Sequence, residues 1–324
     1  MEYILFDKNG KDGIKSFISQ RTSLQMKEIY SPKKRILLLS WLLGVYNVLK
    51  ISERGDTIIC WYDFQAVLCY WMCMLLRKKR KIVCINILLK DKRTIKNKAV
   101  AYLYKRMLNS SNIIASVTSK EYGEHIKKRL NIKKDFFLLH DVYHDSYKYD
   151  KEVQVIPDTV FCGGKNGRDW GFIIDVARAT PSVEFHLVMP SSEYDQYKDN
   201  MPQNVIAKYN MSMEDFTREM CSCSLVALPL DTEAPAGLIV MFQAAANCKL
   251  IMTTDTMTTR EYLSGGRGIL LPNEVDTWSE NIKERLVKQE ENKVASANML
   301  EFLRRECSEE IFCEGIEKMI KMII

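Results

Sequence analysis

The stretch Thr232-Glu233-Ala234-Pro235-Ala236-Gly237-Leu238-Ile239-Val240-Met241-Phe242-Gln243-Ala244-Ala245-Ala246 decides how the second half of this chain is read. Before it runs Ser224-Leu225-Val226-Ala227-Leu228-Pro229-Leu230, an apolar segment with the character of a buried strand. After it comes a second such segment, Lys249-Leu250-Ile251-Met252-Thr253-Thr254. A strand therefore ends, a short acidic loop crosses, and a helix begins near Gly237. Ala236 and Gly237 put no bulk at that helix start, so its free N–H groups and positive dipole end can meet an anion closely. The Glu233 carboxylate hangs beside the same spot. An anion pocket with an acid at its rim suits an enzyme of nucleotide-activated sugars; an ordinary strand-to-helix junction carries the same residues.

Working outward, the 324 residues suggest about two domains. A hydrophobic content of 47% is enough for two packed cores. The first seven residues, Met1-Glu2-Tyr3-Ile4-Leu5-Phe6-Asp7, lack the basic n-region and long apolar stretch of a signal peptide. The ten cysteines fall mostly inside apolar runs and read as small core residues in a reducing compartment. No Cys and His cluster has zinc spacing. A cytoplasmic protein is expected. The net charge of +6 hides an asymmetry: residues 1–152 hold 30 Lys/Arg against 15 Asp/Glu, residues 153–324 hold 17 against 26, so +15 faces −9. The two halves should meet different partners.

The first half alternates strands (Tyr3–Asp7, Thr57–Trp61, Lys81–Leu88, Asn112–Ser116, Phe136–Leu139) with helices (Ile36–Leu49, Phe64–Leu76, Thr94–Leu108, Lys120–Leu130). That order implies a parallel sheet covered on both faces. Residues 142–158 are charged and aromatic with little periodicity and read as a linker. The pattern then restarts with strands at Thr159–Cys162, Glu184–Val188, Asn204–Lys208, 224–230, 249–254 and Gly268–Leu271, interleaved with helices and followed by terminal helices near 276–290, 292–306 and 308–323. The expectation is an α/β protein with Rossmann-like domains at 1–152 and 153–307 and a cleft between them. The last helix, 308–324, should return to the first domain. Ligands of such sheets bind outside the carboxyl ends of the strands.

In the second half those ends carry Gly163-Gly164-Lys165-Asn166-Gly167-Arg168-Asp169, Tyr209-Asn210 and Asp231–Gly237. With Gly237-Leu238, Gln243-Ala244-Ala245-Ala246, Thr254-Asp255 and Arg260-Glu261-Tyr262-Leu263, their order resembles the GT-B glycosyltransferases, and within them the GT4-type bacterial enzymes of surface polysaccharide synthesis. The resemblance covers most of the chain, best over 159–275 and weakly before residue 55. It implies a nucleotide-diphosphate sugar as donor substrate, no resident cofactor and no metal. Lys165 and Arg168 would neutralise the diphosphate, Arg through its planar fork and Lys as a point charge. Gly163 and Gly164 would let backbone amides approach phosphate, or make a tight turn. Ala236, Gly237 and Leu238 would receive the distal phosphate, and Tyr209 and Asn210 the base. Glu233 would contact the donor sugar or the charge developing at its anomeric carbon; a helix-terminus charge partner is the other reading. Where the family carries a second acid on the donor ribose, this chain has Gln243, whose amide can still bond two hydroxyls. Asp231-Thr232-Glu233 looks superficially like a metal-binding acidic pair, and the resemblance argues against that.

In the first half, Asp63 would orient an acceptor hydroxyl or simply cap a helix. His140, beside Asp141, would be a hydrogen-bonding group or weak base at the last strand end. Asn9, Gly10 and Gly13 would cover the donor phosphates. The helix Phe64–Leu76, at 13 residues, is too short to span a bilayer and reads as core. The basic residues after it, Arg77-Lys78-Lys79-Arg80-Lys81 and on through Lys98, suit an anionic membrane surface and thus a glycan or lipid-linked acceptor. A solvated face explains them equally. No nucleic-acid-reading motif appears. The expected function is a metal-independent, retaining glycosyltransferase, cytoplasmic and peripheral on the inner membrane face. The alternatives are a nucleotide-sugar epimerase or hydrolase of the same architecture, and a non-catalytic binding subunit.

Overall fold

The computed structural model describes residues 1–7, 17–18, 26–89 and 95–323, without the side chains of 95–97. They form two compact units, Met1–Val142 with Cys307–Ile324, and Tyr143–Glu306.

The first unit contains β1 (Glu2–Phe6), β2 (Met26–Tyr30), α1 (Leu37–Ile51), β3 (Thr57–Cys60), α2 (Asp63–Leu75), β4 (Lys81–Cys84), α3 (Ile95–Leu108), β5 (Ile113–Val117), α4 (Lys120–Leu130) and β6 (Phe137–Leu138). Its six strands are all parallel, in the order β2-β1-β3-β4-β5-β6. All four residues of β3 are buried, as a sheet covered on both faces demands. Side-chain and left-handed caps set the helix limits: the Ser119 hydroxyl accepts from the Tyr122 N–H at the start of α4, and Asn131 takes a left-handed conformation at its end. The strand expected over Lys81–Leu88 stops at Cys84, and Asn86 turns the chain out at φ 42°.

The second unit contains β7 (Thr159–Gly163), α5 (Trp170–Ala179), β8 (Glu184–Val188), α6 (Ser191–Tyr197), β9 (Val205–Lys208), α7 (Met213–Ser222), β10 (Leu225–Leu228), α8 (Leu238–Ala246), β11 (Ile251–Thr254), α9 (Met257–Leu263), β12 (Ile269–Leu271), α10 (Val275–Val287) and α11 (Gln289–Glu306). Its sheet order, β12-β11-β10-β7-β8-β9, is the doubly wound Rossmann order. One face packs Trp170, Ile173, Trp278 and Ile282 against Val160, Phe185 and Leu225.

The division falls after Val142, whereas the sequence pattern placed it after residue 152. Residues just beyond Val142 are tied into the second unit: the Asn247 amide oxygen accepts from the Tyr149 N–H (2.8 Å), and its NH₂ donates to the Tyr147 carbonyl (3.0 Å). Lys151 pairs with Glu214. At the far end, α12 (Glu309–Ile323) belongs to the first unit, burying Phe312, Cys313, Ile316, Met319 and Ile320 against Ile4, Val83 and Leu139. No helix among the described residues is long and apolar enough to cross a membrane.

Candidate donor site at the switch point of the second sheet

In the second sheet the strand order reverses between β7 and β10, so a crevice opens at the carboxyl ends of these two strands. Two loops meet there. Gly163–Arg168 follows β7, and Pro229–Gly237 follows β10. Arg168 and Leu230 form an antiparallel bridge, Asp231 N–H donates to the Gly167 carbonyl (3.0 Å), and Asp169 N–H donates to the Pro229 carbonyl (3.0 Å). Leu230 is also held from β11, its N–H donating to Thr254 Oγ1 at 2.7 Å, and from the loop after β12, its carbonyl accepting from Asn273 at 3.0 Å. Gly167 sits at φ +66°, where a side chain would strike Thr232 and Ala236 at under 3 Å. Only glycine lets the loops touch.

Arg168 lies at the centre, 6% exposed. Its Nε and Nη2 donate to the Gly163 carbonyl (3.1 and 2.9 Å) and its Nη1 to the Pro229 carbonyl (3.5 Å). Those bonds use three of the five guanidinium donors. Among the described residues it has no ion pair; Asp231 acts on it only through space. Burial lowers its pKa, yet an arginine stays charged. A side chain at Gly164 (φ +123°) would lie 3.1 Å from Nη2, and one at Gly237 (φ +75°) would lie 3.5 Å from both terminal nitrogens. The two glycines thus leave the guanidinium bare beside the start of α8. Gly237 is the N-cap of that helix and supplies no side-chain cap. A buried cation without an ion pair among the described residues and a helix start without a side-chain cap converge on one place, which is an arrangement that holds an anion.

Other expected residues take different parts. Gly164 N–H donates to the Val188 carbonyl (3.3 Å), so it is not open to a phosphate as expected. Gly163 is glycine for space, since a side chain there would meet Phe161 and Phe216 at 2.6–2.8 Å. Lys165 is exposed in the loop, and Ala236 is buried. Glu233 Oε2 accepts from the Met257 N–H (2.9 Å) at the start of α9, the helix-partner geometry; Oε1 has no partner among the described residues. Gln243, 4% exposed on α8, has a buried Oε1 with no hydrogen-bond partner. Tyr209 follows β9, half-exposed, with its ring 4.5 Å from that of Tyr194. Asn210 turns the chain at φ 54°. Tyr194 was missed because α6 carries no apolar period; Pro190-Ser191-Ser192-Glu193 was the available start signal. Among the described residues no cluster of three or more His, Cys, Asp or Glu is placed to hold a metal.

In the first unit Asp63 does not sit at the surface where an acceptor hydroxyl could be oriented. It is 8% exposed, its Oδ1 accepting from Phe64 N–H (2.7 Å), its Oδ2 from Leu88 N–H (2.9 Å), and Tyr104 bonding it as well. Burial raises its pKa against those bonds. It is the first residue of α2, with Tyr62 as the N-cap, so the capping reading also shifts by one position. Asp63 therefore joins α2, α3 and the loop after β4. His140 is half-buried next to Asp141, whose Oδ1 accepts from Val142 N–H (3.0 Å). The first sheet reverses between β1 and β3, and there Tyr62 bonds Asp7, with burial pushing the phenol up to about 12. Asn9, Gly10 and Gly13 lie outside the described residues, as do residues 90–94 of the basic stretch. Within that stretch Arg77 and Lys79 are exposed, whereas Arg80 is buried on Ser52.

No family model matches the chain, and no curated protein matches it in sequence. Solved structures do match in fold. Anabaena HepE in complex with UDP-glucose is 13% identical, with a TM-score of 0.74 over 99% of this chain and 100% of its own. Sucrose-phosphate synthase from Thermosynechococcus elongatus is 10% identical, with a TM-score of 0.73 over 100% and 99%. The lipopolysaccharide outer core galactosyltransferase WaaB, in its apo form, is 12% identical, with a TM-score of 0.66 over 100% of both. The fold is GT-B. At such identities the likeness is one of fold, and the chemistry rests on the residues of this chain.

Proposed function

We propose that the protein transfers a sugar from a nucleotide-diphosphate donor to a glycan or lipid-linked acceptor, retaining the anomeric configuration, in the synthesis of a surface polysaccharide. The donor is bound by the second unit and the acceptor by the first. The observation that carries this reading is the buried Arg168 guanidinium, satisfied only by main-chain carbonyls and left bare by Gly164 and Gly237 at the start of α8. Its two remaining donors and the α8 amides take the charge of the diphosphate, with Lys165 adding a mobile cation. The orphaned Gln243 Oε1 accepts from a ribose hydroxyl, and the Tyr194–Tyr209 pair backs the base. Glu233 turns its second oxygen to the sugar. In retention the departing diphosphate itself draws the proton from the acceptor hydroxyl as the new bond forms on the same face. The protein supplies position and electrostatic stabilisation, and no metal is needed.

The test is a thermal-shift panel of UDP, GDP, ADP and CMP with their sugar conjugates, on the wild type, Arg168→Lys and Lys165→Ala. A nucleotide present at 100 times its Kd adds about 2.7 kcal/mol to native stability. One nucleotide diphosphate should raise the melting temperature, and the shift should vanish in Arg168→Lys while circular dichroism is kept. Lys165→Ala, an exposed change, should weaken the shift without unfolding. Equal shifts in all three proteins would overturn the site. Transfer should survive EDTA, and a strict Mn²⁺ requirement would remove the metal-free mechanism. Binding without any turnover would select the binding-subunit alternative, to which the amide in place of an acid at Gln243 lends weight.

A further inference from the structure

We propose that the outer face of α1 and α2 is the surface by which this protein lies on an anionic lipid bilayer, with Ile36-Leu37-Leu38-Leu39 as its inserting tip. This does not depend on the donor site. Of the 22 large apolar side chains exposed among the described residues, nine are on these two helices or their immediate ends: Ile36, Leu37, Leu38, Leu39, Tyr46, Ile51, Met74, Leu75 and Leu76. The four at the tip are consecutive and 45–64% exposed. They have no core to fill, since α1 packs inward through Ser40, Gly44, Val45, Val48 and Leu49. Single exposed leucines are ordinary; a consecutive run of four, with a second exposed group (Ile51, Met74, Leu75, Leu76) at the far end of the same helix pair, marks a contact surface.

The charges around this face name the occupant. Segments 31–51 and 64–81 contain no Asp or Glu. Lys33, Lys34 and Arg35 stand exposed immediately before the tip, Lys50 near the end of α1, and Arg77 and Lys79 just beyond α2. An apolar face whose helices carry no exposed acid, and whose border holds at least six exposed cations against Glu53 beyond Ile51, fits acyl chains beneath anionic headgroups. A second copy of the same face would set cations against cations, and a nucleic acid would have no use for the aliphatic tip. At 15 residues, or about 22 Å, α1 is too short to cross the roughly 30 Å hydrocarbon layer, so it lies in the interface.

The two helices run side by side in the same direction. The Trp41 ring is 6.0 Å from Tyr62 and 5.7 Å from Phe64 at one end, and Lys78 bonds the Leu49 carbonyl at the other. The tip is therefore at the carboxyl edge of the first sheet, beside Tyr62, and the cations after α2 are at the opposite edge. Membrane contact expected through residues 77–98 alone extends along the whole helix pair and has its apolar anchor at 36–39.

Vesicle flotation tests this, with phosphatidylcholine vesicles containing phosphatidylglycerol and with pure phosphatidylcholine. The wild type should float with the anionic vesicles only. Leu37→Ser with Leu38→Ser should weaken binding about tenfold or more, and neutralising Lys33, Lys34 and Arg35 to Gln about fivefold per charge. Both variants change exposed positions, so circular dichroism and the nucleotide thermal shift should match the wild type, which separates this outcome from that of the donor site. Flotation unaffected by the leucine changes, or equal on neutral vesicles, would overturn the proposal. So would a wild type that ignores vesicles but self-associates through the same leucines.

Discussion

Arg168, Gln243 and Asp63 are all buried polar side chains, and each makes a different demand on its surroundings. Arg168 gives its bonds to carbonyls and keeps its charge; Gln243 leaves an acceptor unmet; Asp63 is met by the Phe64 and Leu88 N–H groups and by Tyr104, besides its own N–H. An unmet buried acceptor costs about 1–3 kcal/mol. Gln243→Leu should therefore leave the apo protein as stable as before or up to about 2 kcal/mol more so, while weakening nucleotide binding about tenfold. Urea unfolding and calorimetric titration read the two effects separately, and unchanged affinity would exclude Gln243 from the donor site. Asp63→Ala should have the opposite signature: about 2–3 kcal/mol of stability lost by orphaning Leu88 N–H and Tyr104, with nucleotide affinity intact. Loss of affinity at full stability would return Asp63 to the chemistry. Arg168, Gly164 and Gly237 were legible as residues at strand ends, because the apolar runs stop just before them. The burial of Arg168 and Asp63 was not, because their partners lie up to about 60 residues away along the chain and sequence spacing carries no trace of them.

At the scale of elements, β8, β9 and α7 share a buried charge cluster apart from the donor site. His186, 4% exposed, places Nδ1 2.6 Å from Glu219 and Nε2 2.8 Å from Glu184; Lys208 reaches Glu219 at 2.5 Å. The Cys223 sulfur and Glu219 hold the imidazole's pKa up to about 10, and the His186 bond with Lys208 holds Glu219 down to about 2. The raised histidine adds stability fully below its unfolded value near 6.5 and loses it as pH climbs to about 10. The lowered carboxylate adds stability above its unfolded value near 4.5 and loses it as pH falls to about 2. Melting of the second unit should fall between pH 7 and 10, and His186→Asn should flatten that slope while costing about 2 kcal/mol at pH 7. Parallel slopes in the two proteins would show that His186 is neutral when folded. Most elements were legible from apolar runs bounded by polar turns. The exceptions are β2, an edge strand with a half-buried Met-Lys-Glu-Ile-Tyr pattern, and α6, a polar helix of about two turns with nothing fully buried. Neither has a fully covered face to write a period into its sequence.

Across the whole molecule the chain enters the second unit at Tyr143 and leaves it at Glu306, so the first unit is completed by α12. Its Phe312, Ile316, Met319 and Ile320 are buried, each worth about 1.5–3 kcal/mol. Their sum rivals the 5–15 kcal/mol that typically separates folded from unfolded domains. A chain ending at Glu306 should therefore keep a folded second unit and lose the first, read by limited proteolysis with mass spectrometry; a protease-resistant 1–142 fragment would contradict it. The same threading sets an order of assembly. The ribosome makes the strands of the first sheet, then the 164 residues of the second unit, and only afterwards the helix that closes the first core. At 5–20 residues per second that interval is roughly ten to thirty seconds. The unit begun first is finished last, and for that time its open sheet face must be kept from other chains, so a chaperone that holds nascent apolar surface should associate with this protein at ribosome positions between Val142 and Cys307 and leave once α12 emerges.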